Sequence, residues 1–186
     1  MLKVEKKMNA REKKIFFSKK IMKYFPVKKI FIVHCSLFIL FSSCSKEKII
    51  FEKNYDIAQH QWLYKDSLSF SFDVKDTTAA YDIELTIKHD NNYPFQNLYT
   101  TISTVFPNNA RVLQTLNLDL ADNTGKWDGS KDAMNRVSTI FKTKIKSDAF
   151  FSVLGKHTIT LSQFTRQDTL SGVESVGLAL IQKQIR

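Results

Sequence analysis

Apolar and polar residues alternate with a period of two along most of the chain beyond residue 66. Leu68, Phe70, Phe72 and Val74 alternate with Ser67, Ser69, Ser71 and Asp73. Tyr81, Ile83, Leu85 and Ile87 alternate with Asp82, Glu84, Thr86 and Lys88. Leu98, Thr100, Ile102, Thr104 and Phe106 make a third run, Leu116, Leu118 and Leu120 a fourth, and Thr158–Phe164 a fifth around Ile159 and Leu161. Successive side chains of a strand point to opposite faces, so each run predicts a strand with one face in the core and one in water. Val173–Ile181 is apolar almost without interruption and reads as a central strand. Residues 131–147 fit helix and strand spacing equally, because Val137, Ile140, Phe141 and Ile145 serve either period. Turn residues separate the runs: Asp76-Thr77-Thr78, Asp90-Asn91-Asn92, Pro107-Asn108-Asn109, Asp122-Asn123-Thr124-Gly125 and Gly155-Lys156. Short strands at this spacing predict an all-β chain folded as a single antiparallel β-sandwich, Ig-like or jelly-roll-like.

The first 44 residues follow a different pattern. Lysines and Arg11 crowd residues 1–29, an apolar run covers Ile30–Phe41, and Ser42, Ser43 and Cys44 follow. A charged stretch, an apolar stretch and small residues in that order define a secretory signal. The run is shorter than the ~20 apolar residues of a membrane span. Met22 offers a more usual start, which would make residues 1–21 an over-extended beginning. Leu40-Phe41-Ser42-Ser43-Cys44 resembles a lipobox, in which Leu40, Phe41, Ser42 and Ser43 form the recognition segment for signal peptidase II. The Cys44 thiol then takes a diacylglyceryl group as a thioether and an N-acyl chain at its new amino terminus. Phe41 stands where an aliphatic residue is usual. The expected organisation is therefore a signal peptide over 1–43, a lipidated N-terminus and tether over 44–53 that reads equally as a first edge strand from 45 to 53, and the sandwich over 54–186.

Charge supports that division. The formal charge is +10, but residues 1–44 carry 11 of the 28 Lys/Arg and only Glu5 and Glu12 of the acids. The remainder is nearly neutral, which excludes the basic face of a nucleic-acid binder. The cysteines are Cys35 and Cys44, so the mature domain holds no disulfide and no thiolate metal site. Catalytic signatures are absent: there is no Gly-rich phosphate loop and no Gly-x-Ser-x-Gly, and His60, His89 and His157 make no close metal-like pair. These histidines are expected to be solvated or capping. Asp128 and Asp132 flank Gly129-Ser130 and are read as a charged loop, not a cation site. No enzyme activity, metal, cofactor or small-molecule ligand is expected. Trp62, Tyr64, Tyr93, Phe95, Tyr99 and Trp127 lie in or near turns, which suits core anchoring. A sharper expectation is that Tyr93, Phe95 and Trp127 project at one end of the sandwich as a partner-binding patch. Arg166 is expected to pair with Asp168, or else to serve that patch. Exposed Trp and Tyr would also suit a carbohydrate-binding sandwich, the alternative function.

Several segments together resemble one family. They are Trp62 and Asp66 before Leu68-Ser69-Phe70-Ser71-Phe72, Asn92-Tyr93-Pro94-Phe95-Gln96-Asn97-Leu98-Tyr99, and Gly125-Lys126-Trp127-Asp128-Gly129. Gly155-Lys156-His157-Thr158-Ile159, Arg166 to Val173, and Val176-Gly177-Leu178 complete the set. From Cys44 to about Leu180 the chain is similar to the gliding motility lipoprotein GldH family of the Bacteroidota. The resemblance implies a membrane-anchored cell-envelope lipoprotein, expected at the outer membrane, with partners in the gliding motility and type IX secretion machinery. It implies no catalytic residue. His89 stands where the family often carries Arg, so an ion pair made by that arginine is not implied here. Ser45-Lys46-Glu47-Lys48 resembles in part the surface-export signal of Bacteroidota lipoproteins.

Overall fold

A computed structural model describes residues 47–183. Their strands are β1 (Lys48–Asp56), β2 (Gln61–Leu63), β3 (Ser67–Val74), β4 (Tyr81–His89), β5 (Asn97–Val105) and β6 (Arg111–Asp119). They continue as β7 (Ser130–Lys131), β8 (Thr139–Ala149), β9 (Gly155–Gln163), β10 (Thr169–Ser171) and β11 (Val173–Gln182). All pairings are antiparallel. One sheet runs β1-β11-β4-β8-β7, a second runs β3-β9-β5-β6, and β10 pairs with β2 in a short ribbon. Among the described residues no helix is long and apolar enough to cross a membrane.

The alternating runs place the core. In β3 the burial alternates strictly, with Phe70, Phe72 and Val74 inside and Ser69, Ser71 and Asp73 outside. Opposite them Ile159 pairs with Phe70, and Leu161 lies between Leu68 and Ile102. In the other sheet Val176, Leu178 and Leu180 pair with Ile87, Leu85 and Ile83. The inner faces meet in one hydrophobic cluster, joined by ring contacts such as Phe51–Phe72 at 5.6 Å and Tyr55–Phe70 at 5.1 Å. Fully burying one such Phe or Leu contributes about 1.5–3 kcal/mol. Residues 48–53, open between tether and edge strand in the sequence, belong to β1. Within the ambiguous 131–147, residues from Thr139 on form β8, with Phe141 and Ile145 packed against the core. Lys142, Lys144 and Lys146 alternate with them. β6 begins at Arg111, earlier than its leucine run, because its first half is exposed on both faces and carries no alternation.

His89 and His157 correct the expectation of solvated histidines: both are fully buried. His157 stacks parallel on Phe72 at 6.0 Å and meets Phe151 edge-on at 4.8 Å. Each keeps an Nε2 with no hydrogen-bond partner among the described residues. They act as flat aromatic fillers.

Asp82 is the charged group most enclosed by the strands. Burial pushes its carboxyl up, but hydrogen bonds from Lys144, the Asp148 amide and Lys183 outweigh that and bring it to about 2. Lys144 Nζ lies 2.6 Å away and Lys183 Nζ 3.1 Å away. An unfolded Asp titrates near ~3.9. The stabilisation is thus complete above about pH 4 and is lost as pH falls toward 2. Asp82→Asn is expected to lower unfolding free energy at pH 7 by about 2 kcal/mol, and to flatten the acid limb of a urea-midpoint titration between pH 4 and 2. An unchanged limb would remove Asp82 from that role.

Candidate functional site

One end of the sandwich gathers the chain from several distant segments. After β4 the chain turns at Asp90, whose Oδ1 accepts the Asn92 N–H at 2.7 Å. The β10–β11 turn packs onto this corner through Gly172. Its φ is +80°, and a Cβ there would stand 2.3 Å from the Tyr93 nitrogen, so only glycine fits. Gly172 also ties neighbouring segments, donating to the His60 carbonyl at 2.8 Å and accepting the Asp90 N–H at 2.9 Å.

Beneath the corner lies an aromatic nest. Tyr93 is buried, and its hydroxyl donates to the Asn97 carbonyl at 2.8 Å. Burial pushes that phenol well up from its ordinary value. Trp127 is half-buried, 4.5 Å from the His89 ring and 6.2 Å from Tyr93, in edge contacts. Burial, the largest influence, lowers the His89 pKa, so the imidazole is neutral at pH 7. Tyr93 and Trp127 therefore turn inward, contrary to the expectation that they project. The Tyr93 hydroxyl finds its acceptor inside the Asn92–Asn97 loop, and that fixes the ring there. Trp62 is buried too, donating to the Asp66 carbonyl at 2.9 Å.

The exposed aromatics form a cleft beside this nest. Phe95, edge-on to Tyr93 at 6.2 Å, joins Tyr64, Tyr99 and Phe164 around a hollow of about 810 Å³. Asn97, Thr165, Arg166 and Gln167 complete the lining. The cleft exists because β9 ends at Gln163 while β5 extends to Asn97, which leaves the start of β5 without a β9 neighbour. The chain instead turns over Thr165–Gln167. The buried Gln163 side chain builds that turn, donating to the Gln167 carbonyl at 2.8 Å and accepting from the Thr165 N–H at 2.9 Å and its hydroxyl at 2.6 Å. Arg166 rides on this braced turn. Among the described residues no carboxylate lies within 4.0 Å of its guanidinium, so the expected pair with Asp168 is not formed. Asp168 is drawn away by the ribbon, where its carbonyl accepts the Tyr64 N–H at 2.8 Å. The lining holds one cation, no carboxylate, no imidazole and no thiol. That mix of tyrosine, phenylalanine and arginine is the one enriched at protein interfaces.

A second cluster was not legible in the sequence. His60, Asp90 and Glu174 bring one ligand atom each within 4.8 Å. His60 Nδ1 lies 3.0 Å from Asp90 Oδ2. Lys88 Nζ bridges Asp132 at 2.6 Å and Glu174 at 2.9 Å, and Ser138 Oγ donates to the other Glu174 oxygen. Burial raises the Asp90 carboxyl, but His60 and the Asn92 amide bring it net down. Hydrogen bonds to Asp132 and Glu174 raise the Lys88 pKa, and Lys88 in turn lowers that of Asp132. These residues are scattered over positions 60–174, so no local spacing reveals them. Asp132 thus closes an internal ion network. Cys44 and the recognition residues Leu40, Phe41, Ser42 and Ser43 lie outside the described residues.

Fold and cleft define an antiparallel β-sandwich with an exposed aromatic cleft at one end. The GldH lipoprotein family matches residues 49–180, and the chain belongs to that family. The gliding motility lipoprotein GldH homolog of Christiangramia forsetii is 30% identical over 150 residues, 76% of this chain and 88% of that protein. The gliding motility lipoprotein GldH of Flavobacterium johnsoniae is 29% identical over 155 residues, 78% of this chain and 91% of that protein. Among solved structures, a family GH115 4-O-methyl-alpha-glucuronidase is 16% identical with a TM-score of 0.38, over 75% of this chain and 18% of that enzyme. The chain spans less than a fifth of that enzyme, and no activity is carried across.

Replacing Gln163 with Leu strands the Thr165 amide and the Gln167 carbonyl. The expected outcome is about 1–3 kcal/mol lost in urea unfolding, with faster hydrogen exchange at Thr165–Gln167 than in β9. Uniform exchange across both segments would show that Gln163 does not brace the turn.

Proposed function

We propose that this chain is a noncatalytic component of the gliding motility and type IX secretion apparatus. Lipid on Cys44 holds it at the outer membrane, and it works by binding another envelope protein in the aromatic cleft. The observation that carries the binding part is the unpaired Arg166 on a braced turn, ringed by Tyr64, Phe95, Tyr99 and Phe164. Tyrosine, phenylalanine and arginine are enriched at protein interfaces, and aromatic rings offer large contact area at low conformational-entropy cost. Charge adds a preference: a partner segment that sets apolar side chains among the rings and a carboxylate on Arg166 matches the lining. Family membership supports the setting, and the signal and lipobox pattern supports the anchor. A diacylglyceryl group with an added N-acyl chain supplies enough buried methylenes, at about 0.8 kcal/mol each, for stable anchoring. The carbohydrate-binding alternative rested on exposed Trp and Tyr; Trp62 is buried and Trp127 half-buried, which weakens it, while Tyr64 and Tyr99 stay exposed in the cleft.

Two variants test the parts separately in the full-length lipoprotein. Cys44→Ala is expected to move the protein from the membrane pellet to the soluble fraction, whereas intact mass of the native protein shows a start at Cys44 with lipid added. A native protein beginning upstream and carrying no lipid would overturn the anchor. Arg166→Glu is expected to leave abundance and membrane fractionation unchanged and to abolish both recovery of envelope partners by in-cell cross-linking and complementation of a deletion strain. Full complementation together with unchanged partner recovery would overturn the cleft as the binding site. Loss of binding to an acidic-glycan array, with protein partners retained, would assign it to sugar instead.

A further inference from the structure

We propose that β6 pairs antiparallel with β6 of a second copy of this chain, joining the two four-stranded sheets into one. An open sheet edge presents unpaired backbone donors and acceptors, and native proteins protect such edges with charges, bulges, short strands or cover. Three of the edges here carry those devices. β1 has Lys48, Glu52, Lys53 and Asp56, and its register against β11 shifts between Ile49 and Phe51. β3 is covered by Tyr55, whose hydroxyl donates to the Ser69 carbonyl at 2.6 Å. β8 is shielded at one end by the two-residue β7, carries Lys142, Lys144 and Lys146 along the rest, and shifts register twice against β4.

Among the described residues β6 has no bulge, cover or interior charge, and its only charges are Arg111 and Asp119 at its two ends. It runs nine residues in unbroken register with β5, from Arg111 opposite Val105 to Asp119 opposite Asn97. Between Arg111 and Asp119 stand only Val112, Leu113, Gln114, Thr115, Leu116, Asn117 and Leu118. Val112 is 44% exposed and Leu113 68%. Beside β6 the seam between the two sheets also stays open, with a hollow of about 230 Å³ lined in part by Val112, Leu116, Ile145 and Phe150.

The order of residues along β6 selects its occupant. The strand is charge-complementary to its own reverse. An antiparallel pair centred on Thr115 sets Thr115 opposite Thr115 of the second copy and Arg111 opposite Asp119 of the second copy, at both ends at once. Opposite charges directly across a pair stabilise it, and like charges destabilise it. This register also keeps faces matched, since odd residues meet odd and even meet even. Leu116 and Leu118 thus stay on the core side of both sandwiches. A twofold axis through Thr115 is the closed symmetry that such a self-complementary strand allows. It turns the two open seams toward each other, which extends the buried surface beyond the strand pair itself.

The test uses cysteines in the full-length protein in cells, with the unaltered chain as the control for Cys44. Thr115→Cys is expected to give a cross-link of twice the monomer mass on mild oxidation. Leu113→Cys alone is expected to give none, because the two copies of residue 113 would stand roughly 13 Å apart, beyond disulfide reach. Leu113→Cys with Asn117→Cys restores the cross-link. Arg111→Asp is expected to reduce the Thr115→Cys cross-link at least tenfold, and adding Asp119→Arg to recover it. Three outcomes would overturn the proposal: a Thr115→Cys variant whose introduced thiol alkylates freely while the chain stays monomeric, cross-linking to a protein of another mass, or equal cross-linking from positions 113 and 115.

Discussion

The sandwich depends on β11 being paired along both of its edges. The last long strand lies between the first, β1, and β4, so the five-stranded sheet is complete only when the first and last strands have paired. Its side chains are buried on nearly every position, because its outer face is sheltered as well as its inner one. Gly177 shows how close the neighbours come: a Cβ there would stand 1.8 Å from the Asn54 side-chain oxygen of β1. Most of the packing is long-range in sequence, and Asp82 adds a second tie, pinning β4 to β8 and to Lys183 just beyond β11.

The cleft follows from the same topology. The four-stranded sheet is not rectangular, and the turn after β9 leaves its neighbour before the neighbour ends. A polar side chain, Gln163, replaces the missing strand pairing there by satisfying three backbone and hydroxyl groups. The site is thus built on a buried hydrogen-bonded brace, and one of its rings, Phe95, meets the internal layer of Tyr93, His89 and Trp127 through Tyr93. The brace fixes the backbone of the turn that carries Arg166.

Much of this was legible from the residues. Strict alternation placed β3, β4, β5 and β9, and continuous apolarity placed β11, because burial is what selects those patterns. Alternation weakened where burial did: β6 is exposed along its first half, and β8 alternates lysines with a Thr, so neither carried a clean signal. Phe95 and Arg166 were identifiable as surface candidates from turn position and charge. Tyr93 and Trp127 carried the same signals but turned inward, since a buried tyrosine with an acceptor in its own loop looks identical in sequence to an exposed one. Phe164 escaped notice because it closes an alternating run and reads as its last core residue. Asp90 and Glu174 meet through the β4–β11 pairing and its bulge at Glu174, and His60 joins them where Gly172 holds its carbonyl, which no local spacing encodes.

The early start of β1 sets a leash. Regular pairing begins at Lys48, four residues past Cys44. A fully extended chain spans at most ~3.3–3.6 Å per residue, so an acyl group on that cysteine would keep the strand's first residue within roughly 14 Å of its attachment point. With that lipid in place, a module on so short a lead would sweep little of the compartment and would meet partners at, or reaching to, the surface of the same bilayer.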